Sequence, residues 1–186
     1  MHEVYARTVE ATDGPSEPTR VILIGMMGSG KSSVGRALAT RTGWPFLDND
    51  VLVERATGRT AREVLATDGE AGLRAAEASA LAAALEAPSP AIVALAAGTV
   101  LEADQRQQIA DAGLVVWLHA PPEVLAARAV GGTHRPWVDA APAAWFARTA
   151  AERDWLYASI DDLEIDTAEI DADGAAERIL AAIGER

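Results

Sequence analysis

The chain of 186 residues has no cysteine. Disulfide scaffolding, a thiol nucleophile and Cys-based zinc sites are thereby excluded. Positive charge is scarce: 16 Lys and Arg stand against 28 Asp and Glu, a net charge of −12. That balance argues against a general binder of nucleic acid or anionic membranes. Long apolar runs are missing, so no transmembrane span is expected. No internal repeat at a fixed period is visible. Lysine is nearly absent, and Lys31 is the only one. The hydrophobic share of 49% and charged share of 24% fit a globular chain.

Residues 1–19 lack an apolar core of signal-peptide length and carry Pro15 and Pro18. They read as a flexible leader before one domain, 20–186. An apolar β-branched run at 20–25 predicts a buried strand, and further strands are expected at 44–48, 91–98, 114–120 and 162–166. Helices are expected at 31–41, 50–58, 60–69, 70–86, 103–113, 121–129, 143–158 and 174–184. Thr60 with Glu63 three residues on has the form of a capping box. Strands alternating with helices predict an α/β layer fold with a mostly parallel sheet. The Gly- and Pro-punctuated stretch at about 130–141 reads as a mobile loop.

Between the first strand and the first helix stands Gly25-Met26-Met27-Gly28-Ser29-Gly30-Lys31-Ser32. It fits G-x-x-x-x-G-K-[ST], the phosphate-binding loop. Glycines let the backbone curl so that N–H groups face phosphate oxygens. The helix that follows adds its positive dipole end. Lys31 supplies a charge for the terminal phosphates, and the Ser32 hydroxyl can ligate Mg²⁺. Elsewhere arginine replaces lysine, because a solvated cation suffices. Inside the loop a compact ammonium fits where a guanidinium fork is too broad. The bland alternative is a Gly-rich turn that binds nothing; its place between strand and helix argues against that.

Asp48 ends the second strand and Asp50 follows it. Ligands of such sheets sit beyond the carboxyl ends of the strands, so both carboxylates would face the phosphate site. One could hold Mg²⁺ through water, and the other could accept a hydrogen bond from a substrate hydroxyl or act as its base. Alternatively, Asp50 only caps the next helix. His119 and His134 have no second ligand at a useful spacing and serve structure or solvation. Residues 154–173 hold eight acidic side chains and no basic one, and read as a solvated face and loops, not a metal site.

Several segments, in this order, resemble the shikimate kinase family: GMMGSGKSSVGRALA (25–39), D-x-D (48–50), TGRTAREVLATDGEAGLRAAE (57–77), the glycine-containing turn at 96–98, R-P (135–136) and ERDWLY (152–157). The resemblance implies a three-layer P-loop kinase fold with a five-stranded parallel sheet and a closing lid. It implies transfer of the γ-phosphoryl of ATP to a hydroxyl of shikimate or a related cyclic hydroxy acid. By the same resemblance Lys31, Asp50 and Arg135 are catalytic. Gly28, Ser29, Gly30, Lys31, Ser32, Ser33, Arg128 and Arg135 would bind the nucleotide. Asp50, Arg74, Gly98 and Arg153 would bind the acceptor, and Ser32 and Asp48 would serve Mg²⁺. Glu77, three residues after Arg74 on one helix face, could fix its orientation; the bland reading of that pair is a surface contact. A cytoplasmic monomer acting on small molecules, without nucleic-acid or membrane partners, is expected.

One departure stands out. Three consecutive glycines of the family read Ala96-Ala97-Gly98 here. A methyl group can block close backbone approach, and it disfavours left-handed φ by about 1–2 kcal/mol. The alanines leave room for a kinase of another polyol, cyclitol or sugar acid. They also leave room for a nucleotide-binding relative with little turnover.

Overall fold

A computed structural model of the protein describes residues 20–129 and 142–184. The leader 1–19 and the loop at 130–141, with His134, Arg135 and Trp137, lie outside the described residues.

Five strands form one parallel sheet in the order β2-β3-β1-β4-β5. They are β1 (Arg20–Ile24), β2 (Phe46–Asp48), β3 (Ala91–Ala94), β4 (Leu114–His119) and β5 (Leu163–Asp166). Seven α-helices connect and cover them among the described residues: α1 (Lys31–Thr42), α2 (Asn49–Thr57), α3 (Ala61–Glu86), α4 (Ala103–Ala110), α5 (Pro122–Ala129), α6 (Pro142–Tyr157) and α7 (Ala172–Gly184). A short 3-10 turn, Thr99–Leu101, follows β3.

Alternation along the strands sorts the core into two layers. Val21 and Leu23 of β1 join Ile92, Leu114 and Val116 beneath Val34 and Leu38 of α1 and Ile179 of α7. Ile22 and Ile24 face the other way, with Val93, Val115 and Trp117, onto Leu81 of α3 and Phe146 and Tyr157 of α6. Both faces are covered, which explains why the strands read as continuous apolar runs. Each fully buried Leu or Ile contributes about 1.5–3 kcal/mol. A smaller cluster of Val53, Val64, Leu73 and Ala80 ties α2 to α3.

The local signals mostly hold. Thr60 caps α3 and forms the reciprocal capping box with Glu63, whose carboxyl is held below the usual range by those bonds. The two helices expected on either side of Gly69 run on as α3, broken by that glycine at φ 69°. Two strands are shorter than their apolar runs. Trp44 N–H is spent on Thr42 Oγ1 at 3.1 Å, so β2 starts later. After Leu95 N–H reaches Leu23 O at 3.0 Å, the chain turns out of the sheet. Two loop residues of the acidic stretch 154–173 also make structural hydrogen bonds. Asp162 accepts from Val115 N–H at 2.9 Å, and Asp171 caps α7 through Gly174 N–H at 2.8 Å. Among the described residues no helix is long and apolar enough to cross a membrane.

Candidate active site

The loop after β1, Asp48 at the end of β2, Ala96–Gly98 after β3, and Thr167 after β5 all lie at the carboxyl edge of the sheet. A cavity of about 720 Å³ opens there. Gly28, Gly30, Lys31, Ser32 and Ser33 line it, with Asp48, Asp50 and Arg128.

The helix after the loop starts on Gly30 at φ 94°, a left-handed conformation that glycine adopts without a Cβ penalty. No side chain caps α1, and its first turn holds no acidic residue. Its first N–H groups are thus left for an anion. Lys31 Nζ donates to Gly25 O and Met26 O, both at 2.8 Å. The ammonium is therefore held by its own loop. Ser29 departs from the expectation: it is fully buried, its N–H is spent on Met26 O, and its hydroxyl lacks a hydrogen-bond partner. It shapes the loop from behind and does not line the cavity.

Asp48 is the pivot of the acidic turn. Its Oδ2 accepts from Ser32 Oγ at 2.7 Å, and its Oδ1 accepts from Asp50 N–H at 3.1 Å. Asp48, not Asp50, is the N-cap of α2. The capping role weighed for Asp50 is thus filled by its neighbour, and the exposed Asp50 carboxylate belongs to the cavity lining. Asn49 between them is buried and donates from Nδ2 to Glu77 O at 3.2 Å. That bond fixes the acidic turn against α3.

On α3, Arg74 pairs with Glu77 through Nη1 and with Glu70 through Nη2 at 3.3 Å. Glu77 is only 2% exposed, so the pair is not the surface contact of the bland reading. Arg74, Glu77 and Gly98 line a second cavity of about 250 Å³. Gly98 has an ordinary negative φ, and a Cβ there would overlap the Arg74 guanidinium, which would have to move. No non-glycine residue among those described has positive φ. Ala96 and Ala97 therefore carry none of the left-handed strain that the sequence raised. Both line the large cavity.

Arg128 donates to Thr167 Oγ1 at 2.9 Å, to Thr167 O at 2.7 Å and to Gly28 O at 3.4 Å. It ties the phosphate loop to the segment after β5. Arg153, on α6, lines neither of these cavities, yet its Nε is buried without a hydrogen-bond partner. His119 pairs with Glu164 at 3.1 Å, and no group of metal-binding side chains forms among the described residues. Three residues escaped sequence reading. Thr167 directly follows a strand end, which is a usable signal. Arg62 lines the cavity from the first turn of α3, and Tyr157 is fully buried behind the turn at 96–98; neither has a local signature.

Comparison with known proteins agrees with this geometry. The family model described as shikimate kinase matches residues 27–184. The chain belongs to the shikimate kinase family. It is similar to the shikimate kinase of Symbiobacterium thermophilum, 45% identical over 62% of this chain and 66% of that one. It is 35% identical to the shikimate kinase of Ruegeria pomeroyi, over 100% of this chain and 96% of that one. Among solved structures, shikimate kinase from Acinetobacter baumannii in complex with shikimate superposes with a TM-score of 0.83 at 31% identity, covering 91% of this chain and 94% of that one. As a member of the shikimate kinase family, the protein is a P-loop small-molecule kinase.

Proposed function

We propose that the protein transfers the γ-phosphoryl group of ATP to a hydroxyl of shikimate. The observation that carries this reading is the convergence of Lys31, Ser32, Asp48 and Asp50 on one cavity beside the Arg74–Gly98 contact. Phosphoryl transfer needs alignment and charge neutralisation more than covalent help from the protein. In this reading the first N–H groups of α1 and the Lys31 ammonium bind the phosphates and offset the charge that develops on the leaving oxygen. Asp50 accepts the hydrogen bond of the acceptor hydroxyl and orients it in line. Arg74, held by the buried Glu77, and Arg153, with its unpartnered Nε, bind the acceptor carboxylate. Planar guanidinium groups suit a carboxylate through paired bonds. Arg128 borders the nucleotide where the base would lie.

Ser32 and Asp48 offer a hydroxyl and a carboxylate 2.7 Å apart at the cavity wall. Such hard oxygen donors fit Mg²⁺, which takes few protein ligands alongside substrate phosphates. Bound there, the ion would shield the β- and γ-phosphate charge. The cationic cluster also reverses, locally, the repulsion that a chain of net charge −12 exerts on two anionic substrates.

The test is ADP release with Mg-ATP across a panel of cyclic hydroxy acids, polyols and sugar acids. Turnover with shikimate is expected. Selective turnover of another acceptor, or nucleotide binding without acceptor-dependent ADP release, would overturn the assignment.

A further inference from the structure

Behind the acceptor wall lies a side chain with no assigned role. Tyr157, at the end of α6, is fully buried. Its ring stacks on Trp117 of β4, with centroids 5.9 Å apart and planes at 21°. Its hydroxyl donates to Ala97 O at 2.8 Å, across 60 residues of sequence.

That carbonyl belongs to the turn that replaces the three glycines. Each carbonyl of the turn is fixed. Ala96 O accepts from Thr99 N–H at 3.1 Å and from Thr99 Oγ1 at 2.8 Å. Gly98 O accepts from Leu101 N–H at 3.1 Å. Ala97 O has Tyr157. The amide donors of Ala97 and Gly98 have no acceptor among the described residues. In a trans peptide the C=O and the following N–H point in opposite directions. Ser89-Pro90 is the only cis bond among the described residues. The bond from Tyr157 to Ala97 O therefore sets the direction of Gly98 N–H, and sends it away from α6.

We propose that Tyr157 is a positioning residue. By holding Ala97 O it aims the Gly98 amide at the acceptor, and it locks the acceptor wall to the helix that carries Arg153. The same lock lets alanine stand at 96 and 97. Glycine in a turn supplies freedom to reach an unusual φ, and here neither position needs it, because hydrogen bonds fix the peptide planes at ordinary φ. Arg153 stands four residues before Tyr157, so one helical turn carries both the acceptor cation and the group that orients the opposing amide.

The inference rests on shikimate as the acceptor, so wild-type turnover is measured alongside the variant. Tyr157→Phe removes one oxygen and keeps the stacked ring. Losing a directed hydrogen bond of this kind predicts a rise in acceptor KM of about 5- to 30-fold. ATP KM is expected to stay within about twofold, a readout that uniform loosening of the fold would not spare. Far-UV circular dichroism checks that the variant is folded. If it does not fold, fluorinated tyrosine at position 157, which keeps the ring and the hydroxyl but changes its donor strength, gives the readout on the same bond to Ala97 O. Acceptor KM unchanged in the folded variant, or ATP and acceptor KM rising together, would overturn the role of Tyr157 alone. Wild-type protein that does not turn over shikimate would overturn the acceptor reading and this inference with it.

Discussion

Gly98 and Arg74 are in contact so close that a methyl group on the glycine would overlap the guanidinium. The contact joins the turn after β3 to the middle of α3, two segments far apart in the chain. Its cause is steric, since Gly98 has an ordinary negative φ. Gly98→Ala should therefore displace Arg74 while leaving the phosphate loop untouched. A misplacement of about 1 Å at such a site costs up to about 100-fold in kcat/KM. Steady-state kinetics should show the loss in kcat/KM for the acceptor, with ATP KM retained. Wild-type kinetics in this variant would mean that Arg74 does not read the acceptor.

Arg74→Lys keeps the charge and removes the fork. A lysine ammonium cannot form paired bonds to a carboxylate and to Glu77 at once. Acceptor KM should rise roughly tenfold or more, the scale of one charge-assisted hydrogen bond. ATP KM should hold. Calorimetric titration with each substrate separates the two effects, and a collapse of ATP affinity alone would contradict the carboxylate assignment.

How much of this was legible beforehand depends on how local each signal is. The phosphate loop, the capping box at Thr60 and Glu63, and the strand–helix alternation are encoded within a few residues. They appear in the structure nearly where the sequence puts them. Which of Asp48 and Asp50 caps α2 is not legible in the sequence, because the two are chemically alike and only the backbone turn distinguishes them. The worry over Ala96 and Ala97 arose because composition shows a missing glycine but not the φ that the position demands. Tyr157 was invisible as a functional group, because its partner, Ala97 O, lies 60 residues away and is a backbone atom. Ser29 looked like a ligand by its place in the motif, yet its N–H turns back onto Met26 O.

Lys31→Ala should leave the fold intact, since the two buried core layers do not include the ammonium, although Gly25 O and Met26 O lose its hydrogen bonds. Turnover should fall by about 100-fold or more, the usual effect of deleting one preorganised charge donor at a reacting centre. Lys31→Arg should not restore it, because the broader guanidinium cannot seat on Gly25 O and Met26 O together. Circular dichroism with single-turnover kinetics checks both variants; near-normal kcat in either would remove Lys31 from the chemistry.

Lys31 also gives a chemical handle, since it is the only lysine in the chain. An amine-directed acylating reagent should modify one side chain besides the N-terminus. ATP at saturating concentration should slow that modification. Intact-protein mass spectrometry reads the result, and equal labelling with and without ATP would place the nucleotide elsewhere.

Tyr157 gives the protein an alkaline sensitivity. Burial pushes its phenol well above the ordinary value of 10.0, so the folded protein keeps it neutral where the unfolded chain ionises. The contribution is fully present below pH 10 and is lost as pH rises through the folded-state value. Chemical denaturation at pH 8 to about 11 should thus show wild type losing stability faster than Tyr157→Phe. Parallel curves for the two proteins would contradict the burial of the phenol.

The most direct measurement follows the phosphoryl group itself. Shikimate, Mg-ATP and the enzyme are mixed, and ³¹P NMR records where phosphorus goes while ADP is counted. A single new phosphomonoester of shikimate, formed in equal amount to ADP and formed far more slowly by Lys31→Ala, is the predicted result. ADP that accumulates with inorganic phosphate and no shikimate ester would contradict it.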